Sequence, residues 1–474
     1  MNQETGKNLQ KKLSSRSKQM LAKKRNPFSK FLVLWTGELI SLIGSGLTSF
    51  GLGVYVYQVT GKVSGLALVS LLAFLPALLL SPMAGVLADR YDRRLLMLLG
   101  DSLSALGILF ILICMLLGDA QLWQICIGVT ISSVFSSLLE PAYRASITDL
   151  LSQEDYTKAS GLVQAAGSSK YLISPILAGY LLRVFDIKLL LIIDICTFFV
   201  TASSILFVRR SLASQRDQGS ASSKGERGPE SSNSERVSAS SNGEWSPVSG
   251  SMRDDFREGW HAVAGNRGVL VLVLMGSVIT FFLGFIQTLS TPMILAFTDS
   301  SALGTTLTLS AFGMLITSVF VGIIPMKHNF VNKLCLSLFG AGIFMAVFGL
   351  RENIVLICAA GFLFFSMLPF ANTSLDYLIR TNIGNELQGR AWGLIGVISQ
   401  LGYVAAYAVS GILADHVFTP LLVKGGALSG SVGLILGIGT SRGTGLLILI
   451  AGLLLSISAI ILLRIKSIRA LETH

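Results

Sequence analysis

The chain turns between two long apolar runs at the sequence Gly85-Val86-Leu87-Ala88-Asp89-Arg90-Tyr91-Asp92-Arg93-Arg94. The flanking runs cover about residues 64–88 and 95–117. Each run is long enough to cross a bilayer as a helix, which takes about 20 apolar residues. Short basic loops between spans stay on the cytoplasmic side of a membrane. The stretch therefore predicts a tight cytoplasmic turn between two membrane-spanning helices.

The composition extends this interpretation to the whole chain. Charged residues make up 13% of the 474 residues and hydrophobic residues 52%, whereas about 25% charged is usual in a soluble domain. The mean hydropathy is +0.68. Irregular backbone cannot face lipid, and the apolar runs lack the alternation of a barrel strand, so helices are expected. We predict an all-α integral membrane protein with twelve transmembrane helices in two six-helix halves.

Hydropathy places the spans, and the charges of the loops orient them. The predicted spans are 31–59, 64–88, 95–117, 121–143, 160–182, 187–208, 268–296, 302–325, 332–350, 354–377, 389–416 and 443–464. Loops after even-numbered spans carry several Lys or Arg residues, and loops after odd-numbered spans carry few. This alternation predicts a multi-pass protein of the plasma or inner membrane with both termini in the cytoplasm.

Two polar segments divide the chain. Residues 1–30 hold nine Lys or Arg and one acid, which predicts a basic cytoplasmic tail. Residues 209–267 are rich in serine, with fourteen serines from Ser211 to Ser251, and are predicted to be a disordered cytoplasmic linker. The predicted domains are thus an N-terminal bundle (31–208) and a C-terminal bundle (268–464), followed by a cytoplasmic tail (465–474).

Short matches suggest that the halves are related. Pro141 and Gly161 recur 228 residues later as Pro369 and Gly389. Gly85 matches Gly322 at an offset of 237, and Ala178-Gly179 matches Ser410-Gly411 at 232. Related six-span halves are typical of transporters that bind substrate between the halves near the midplane of the membrane.

Other classes of function fit the sequence poorly. The net charge of +11 lies in loops and tails, which indicates membrane orientation and no nucleic-acid partner. The five cysteines lie in or beside apolar runs without a CxxC pair, so no metal site or disulfide is expected. The glycines of residues 437–443 lack the strand–helix context of a dinucleotide loop, and no ATP-binding loop is present. We expect neither an enzyme nor a cofactor.

The turn quoted above resembles the signature loop of the major facilitator superfamily of transporters. The matching residues are Gly85, Asp89, Arg90, Arg93 and Arg94. The resemblance implies a loop that latches the two halves in the outward-facing state and releases when the carrier turns inward. Asp92 departs from the family pattern, which usually has glycine there.

Further motifs resemble the branch of this family that contains macrolide-type efflux pumps and siderophore exporters. They are Trp35-Thr36-Gly37-Glu38, Glu140-Pro141-Ala142-Tyr143-Arg144, Asn372 and Gln388-Gly389-Arg390. Residues 167–179 resemble a degenerate exporter motif in which proline kinks span five. The resemblance covers most of the chain outside residues 1–27, the linker and about 420–440. It implies drug:proton antiport, with a small-molecule substrate and protons as partners.

Ionisable residues inside a span are costly and are functional candidates. Glu38 lies about 10 Å into span one by helical rise, Lys170 lies near the middle of span five, and Asp194 lies inside span six. Glu38 and Asp194 are candidates for proton coupling. Lys170 is a candidate counter-charge for Glu38, or a ligand for an anionic group of a substrate. The alternative for each is a buried structural ion pair that binds nothing.

Other polar residues complete the predicted site. Candidates to line the substrate cavity are Gln164, Gln287, Asn372, Gln400, Tyr403 and Tyr407, and candidates for gates at the cytoplasmic helix ends are Glu140, Arg144, Asp376 and Arg390. We therefore predict a monomeric carrier in the lipid bilayer that exports amphipathic small molecules by proton antiport. The alternatives are export of an endogenous metabolite, such as a siderophore or lipid-like compound, and a non-transporting membrane sensor or partner-binding subunit.

Overall fold

The computed structural model describes residues 27–151, 153–224, 257, 260–261, 263–324, 328–384 and 388–472. Only the backbone is described for residues 27, 89, 153, 157, 211–224, 389 and 390. The basic tail before residue 27, most of the serine-rich segment and the last two residues lie outside the described part of the chain. Its secondary structure is helical, without strands.

The first half begins with three long helices, α1 (Pro27–Thr60), α2 (Val63–Arg90) and α3 (Arg93–Leu117). The fourth and fifth crossings are each divided, into α4 (Leu122–Ser136) with α5 (Leu139–Leu150), and α6 (Tyr156–Leu172) with α7 (Ser174–Val184). Helix α8 (Ile187–Lys224) ends this half. It continues past residue 208, where the linker was predicted to begin.

The second half contains α9 (Arg267–Leu295), α10 (Ser300–Ile323), α11 (Phe330–Phe348), α12 (Ile354–Thr381) and α13 (Gln388–Leu413). A π-helical turn (Ala414–Phe418) and two short helices, α14 (Thr419–Leu422) and α15 (Val432–Leu436), lead to α16 (Thr440–Arg464) and α17 (Lys466–Arg469). Val263 is fully buried in the core of this half, so the end of the predicted linker packs against the bundle.

Eleven helical segments of the described residues are long and apolar enough to cross a membrane. The predicted fifth span is not among them, because it is divided at Ile173 between α6 and α7. Pro175 lies in the first turn of α7, where its missing N–H breaks no helical hydrogen bond. The break therefore lies where the sequence predicted a kink, and the count of twelve crossings stays a prediction.

The two halves meet where α7 crosses α10 and where α2 crosses α13. At the first crossing, Gly179 packs against the backbone of Ser300 and Gly304. At the second, Gly411 packs against Ser64. A side chain on either glycine would overlap the facing backbone, so these positions allow the close approach of helices that small residues permit in membranes.

Polar contacts lie beside both crossings. Asp415 accepts hydrogen bonds from the backbone N–H groups of Val63 (3.0 Å) and Ser64 (2.8 Å), and so caps α2 from the other half. Arg183 lies 4.0 Å from Asp299. Both contacts are at the end of the bundle opposite residues 90–94. We call the end that carries residues 90–94 the basic end and the other the opposite end.

The basic ends of α2 and α10 are loosely packed. Side chains built on Gly85 and Gly322 would meet no atom within 4 Å. Met83 is 61% exposed and Ile323 is 74% exposed. The close contacts of these helices described above thus lie at the opposite end, whereas Gly85 and Gly322 have no close neighbour at the basic end.

Candidate transport cavity

A cavity of about 850 Å³ lies within the first half. Its charged lining residues come from five helices: Glu38 from α1, Asp101 from α3, Glu140 and Arg144 from α5, Lys170 from α6 and Asp194 from α8. The structure thus brings together the three charged residues that the sequence placed inside spans, Glu38, Lys170 and Asp194, with two of the predicted gate residues, Glu140 and Arg144.

Helix α1 forms a polar wall of this cavity. Glu38, Ser41, Ser45, Thr48 and Ser49 all line it. Their spacing of three to four residues places them on one face of a helix. The carboxylates of Asp101 and Glu140 both repel the carboxylate of Glu38 electrostatically.

Asp194 is held against α1. The side chain of Asp194 lies beside Gly44, where a β-carbon would be 2.9 Å from its Oδ1 atom. The Ser45 hydroxyl donates a hydrogen bond of 3.4 Å to the same oxygen. Asp194 therefore has a polar partner within the fold.

Lys170 is one of two basic residues that line the cavity, the other being Arg144. Its Cγ atom packs against α1 at Gly46, 3.1 Å from where a β-carbon would lie. The Lys170 ammonium attracts Asp194 electrostatically, but the ion pairs of the described residues do not join it to Asp194 or Glu38. The role of Lys170 as a counter-charge stays a prediction.

Asp101 is a cavity residue that the sequence analysis missed. It is 8% exposed, and its Oδ2 atom is buried without a hydrogen-bond partner in the described part of the chain. It interacts electrostatically with Glu38 and Asp194. The signal that could have found it is the one that found Glu38, a carboxylate inside an apolar run.

The predicted gate residues form ion pairs within their own helices. Arg144 binds Glu140 (2.8 Å) at the rim of the cavity. Asp376 binds Arg380 (2.8 Å), whose guanidinium lies 5.0 Å from the centre of the Trp392 ring. The side chain of Arg390 lies outside the described residues.

The remaining predicted lining residues lie away from this cavity. Gln164 and Asn372 are exposed, and Gln400 has a buried, unpartnered Oε1 atom. Tyr407 donates a hydrogen bond of 3.1 Å to Gln287. None of these is a lining residue of the cavity, and their contact with substrate stays a prediction.

An aromatic cluster nevertheless connects the second half to the cavity. Phe74 of α2 lines the cavity. Its ring centre lies 5.5 Å from that of Tyr403 and 6.0 Å from that of Tyr407, both on α13. These three rings form an aromatic wall built from both halves.

The basic loop is bound to the first half. Arg93 binds Asp149 (2.6 Å) and donates to the carbonyl of Ala145 (2.8 Å). Asp92 caps α3 by accepting from the N–H of Arg94 (3.0 Å), and lies 3.5 Å from Arg209. Arg90 is exposed at the end of α2. The side chain of Asp89 lies outside the described residues.

Comparison with protein families identifies one match across most of the chain. The family model described as "Major Facilitator Superfamily" matches residues 34–407. This range begins in α1 and ends in α13, so it includes the cavity and the aromatic wall.

Similar curated proteins are efflux proteins and transporters. Macrolide efflux protein A of Streptococcus pyogenes is 24% identical over 394 residues, which cover 82% of this chain and 90% of that protein. The protein of the same name from Enterococcus faecalis is 24% identical over 338 residues, with 70% and 95% covered. The uncharacterized MFS-type transporter YfiS of Bacillus subtilis is 23% identical, with 81% and 87% covered.

Solved transporter structures share the fold at low identity. The nucleoside transporter NupG is 12% identical with a TM-score of 0.66, covering 92% of this chain and all of that one. An inward-facing bacterial homolog of the human lysosomal transporter Spinster is 13% identical with a TM-score of 0.64, covering 94% and 98%. At these identities the likeness concerns the fold alone.

Proposed function

The chain belongs to the major facilitator superfamily, and on that basis we propose that it exports amphipathic small molecules across the cell membrane in exchange for protons. It is a transporter of that family. The exported substrate and the proton coupling are the parts that we propose.

One observation carries the proton coupling: carboxylates line a cavity inside a membrane-spanning bundle. Glu38, Asp101 and Asp194 face it, with Lys170 the base among them. Uncompensated carboxylates are costly in a membrane interior, and such groups commonly relay protons. We assign the exchange of protons to Glu38 and Asp194.

The shape supports alternating access. Both termini and the basic loops are assigned to the cytoplasm by the charge of the loops, so the basic end is cytoplasmic in this proposal. Contacts between the halves at the opposite end and the open space at Gly85 and Gly322 at the basic end support an inward-facing state. Rocking of the halves about the cavity would then open the opposite end.

The basic loop is proposed as the latch of the outward-facing state. Its residues are Gly85, Asp89, Arg90, Arg93 and Arg94. In this inward-facing arrangement Arg93 and Asp92 bind residues of the first half, and Gly85 faces open space. That arrangement is the one expected of a latch that has been released.

The relatives support export as the direction. Two of them are named for macrolide efflux, and their similarity extends over most of this chain. A fold of this kind serves many substrates, so the substrate class rests on these relatives and on the amphipathic lining of the cavity. The membrane potential provides about 2.3 kcal/mol per 100 mV for each proton that moves inward, and this energy can power the exchange.

The test is uphill transport by the purified protein in liposomes with an imposed pH gradient. Labelled macrolides and other amphiphiles are added, with and without a protonophore. We expect the wild-type protein to concentrate at least one of them and the protonophore to abolish this. We expect Glu38→Gln to lose uphill transport but to equilibrate substrate, because the amide cannot carry a proton.

Asp119→Asn is the matched control, since Asp119 is an exposed acid outside the cavity. It should transport like the wild-type protein. Unchanged uphill transport and proton dependence in Glu38→Gln would remove Glu38 from the coupling mechanism. Equal accumulation of every compound in liposomes with and without protein would contradict the export proposal itself.

A further inference from the structure

We infer that Asp101 binds the positively charged group of the transported molecule, which makes the substrate an amphiphile that carries a protonated amine. The inference rests on the proposed export function and specifies its substrate class. It assigns a role to a carboxylate that the coupling mechanism above does not use.

The first observation is that Asp101 lacks a partner. Its Oδ2 atom is buried and accepts no hydrogen bond from the described residues, although the residue is more than nine-tenths buried. Buried polar atoms in proteins nearly always have a partner, and one left unmatched is costly. The described residues donate no hydrogen bond to this carboxylate, and the residue lines the cavity, so a donor that enters the cavity can bind the carboxylate without displacing a partner.

The second observation is the sign of the surrounding charge. Four acids and two bases line the cavity, and Glu140 and Arg144 neutralise each other at its rim. Lys170 attracts Asp194, which also accepts from Ser45. Asp101 instead shares the cavity with two further acids, Glu38 and Asp194. An anion would be repelled here, and a cation would compensate the acids.

The third observation is the apolar side of the same cavity. Ile108 lies two helical turns beyond Asp101 on α3, and both residues line it. Phe74 also lines it, and its ring packs against Tyr403 and Tyr407, which lie behind the lining. A ligand with an ammonium group at one end and an apolar body at the other would match these two surfaces. Aromatic faces also attract cations.

The other acids fit this role less well. Asp194 already has a hydroxyl donor and a lysine nearby. Glu140 is paired and largely exposed. Glu38 is assigned to the proton above. Asp101 is therefore the carboxylate of this cavity best placed to select the substrate charge.

The test is equilibrium binding to the purified full-length protein, without a pH gradient. The probes are dansylcadaverine, a fluorescent amphiphile with a primary amine, and its uncharged N-acetyl derivative. We expect the wild-type protein to bind the amine about tenfold or more tightly than the N-acetyl form, as charge-assisted hydrogen bonds are worth that much. Asp101→Asn should weaken binding of the amine by a similar factor and leave the N-acetyl form unchanged.

Two further variants separate charge recognition from folding. Asp101→Glu keeps the carboxylate and should keep the preference for the amine, and Asp119→Asn should bind as the wild-type protein does. Equal affinities of the wild-type protein for the two probes, or no binding of the amine, would overturn the inference. A preference that survives in Asp101→Asn would overturn it as well. Binding requires neither transport nor coupling, so failure of the export proposal would give a different result from failure here.

Discussion

Asp92 departs from the sequence pattern of the superfamily and has a structural role in the first half. The superfamily usually has glycine at this position, yet the backbone of Asp92 has a φ of −59°, which any residue can adopt. Its carboxylate caps α3 and reaches Arg209 at the end of the sixth crossing. The acid therefore stabilises the start of α3 within the first half.

Replacing Asp92 tests this role. Loss of a side-chain cap usually costs about 1 kcal/mol, and glycine or asparagine at the cap costs much less. We expect Asp92→Ala to lower the thermal stability of the purified protein, and Asp92→Asn to leave it nearly unchanged. The exposed pair with Arg209 should add less than about 1 kcal/mol. Equal melting temperatures for the two variants would show that the cap is unimportant.

Single residues also show how far the sequence predicts the site. Glu38, Lys170 and Asp194 stand out as charges in apolar runs, and all three line one cavity. Asp101 lies about two helical turns beyond Arg93 and Arg94, and the pattern that selects Glu38, a carboxylate inside an apolar run, applies to it equally. Its position in one cavity with Glu38 and Asp194 could not be predicted, because it depends on how helices that are distant in the chain pack together.

At the scale of elements, the divided fifth crossing positions part of the cavity. Helix α6 ends beside Lys170, and α7 starts at Ser174, whose hydroxyl donates to the carbonyl of Ile43 on α1 (3.0 Å). Gly46, one turn further along α1, faces both Ser174 and Lys170. The break and this glycine together allow both parts of the crossing to contact α1.

A methyl group at Gly46 should separate these elements. Its carbon would overlap Ser174 and lie 3.1 Å from Lys170 Cγ, and overpacking usually costs about 1–3 kcal/mol. We expect Gly46→Ala to reduce the yield of monodisperse protein in size-exclusion chromatography and its melting temperature. Gly167→Ala is the control, because a β-carbon there meets no atom within 4 Å. A Gly46→Ala variant as stable as Gly167→Ala would contradict the close packing.

The segment between the last two long helices is an element that the sequence did not explain. For its glycine-rich residues 437–443, the sequence excluded a dinucleotide site but predicted no structure. In the structure Gly437 and Gly439 have positive φ values of 95° and 152°. Arg442, 3% exposed, binds Glu352 (2.7 Å) and donates to the carbonyl of Leu436 (3.3 Å). The glycines thus form the turn, and a buried arginine attaches it to the start of α12.

At the scale of the molecule, the helices follow the hydropathy pattern closely, whereas their crossings do not follow from it. Predicted span ends agree with most helix ends within about four residues, as for 354–377 against Ile354–Thr381. Apolar runs determine which segments enter lipid. Which helices then cross depends on small residues such as Gly179 and Gly411, whose partners are distant in the chain.

The two crossings between the halves are related by the internal repeat, and the acid and the base exchange places between them. The offset of 232 that relates Gly179 to Gly411 also relates Arg183 to Asp415, and the offset of 237 that relates Gly85 to Gly322 also relates Lys62 to Asp299. At one crossing Arg183 approaches Asp299 across the halves. At the other, Asp415 lies beside Lys62 and caps the following residues. Both arrangements hold the opposite end closed.

Removing the cap should open that end. We expect Asp415→Ala to shift the protein away from the inward-facing state, because α2 loses two hydrogen bonds from the second half. A cysteine at Ser410, which is fully buried at the crossing, reports the change. In a background without the native cysteines it should react faster with a membrane-impermeant thiol reagent.

Asp119→Ala is the control, since Asp119 is an exposed residue just beyond α3. It should leave the labelling rate unchanged. A rate in Asp415→Ala equal to that of the control would show that the cap does not hold the halves together.

The cap on α2 also has a consequence for biosynthesis. Val63 and Ser64 are made early, and Lys62 offers no side-chain cap of its own. Their N–H groups face water until the ribosome has produced Asp415, about 350 residues later. The N-terminus of α2 therefore lacks the Asp415 cap while the first half is made. The cap can form only after α13 has been synthesised.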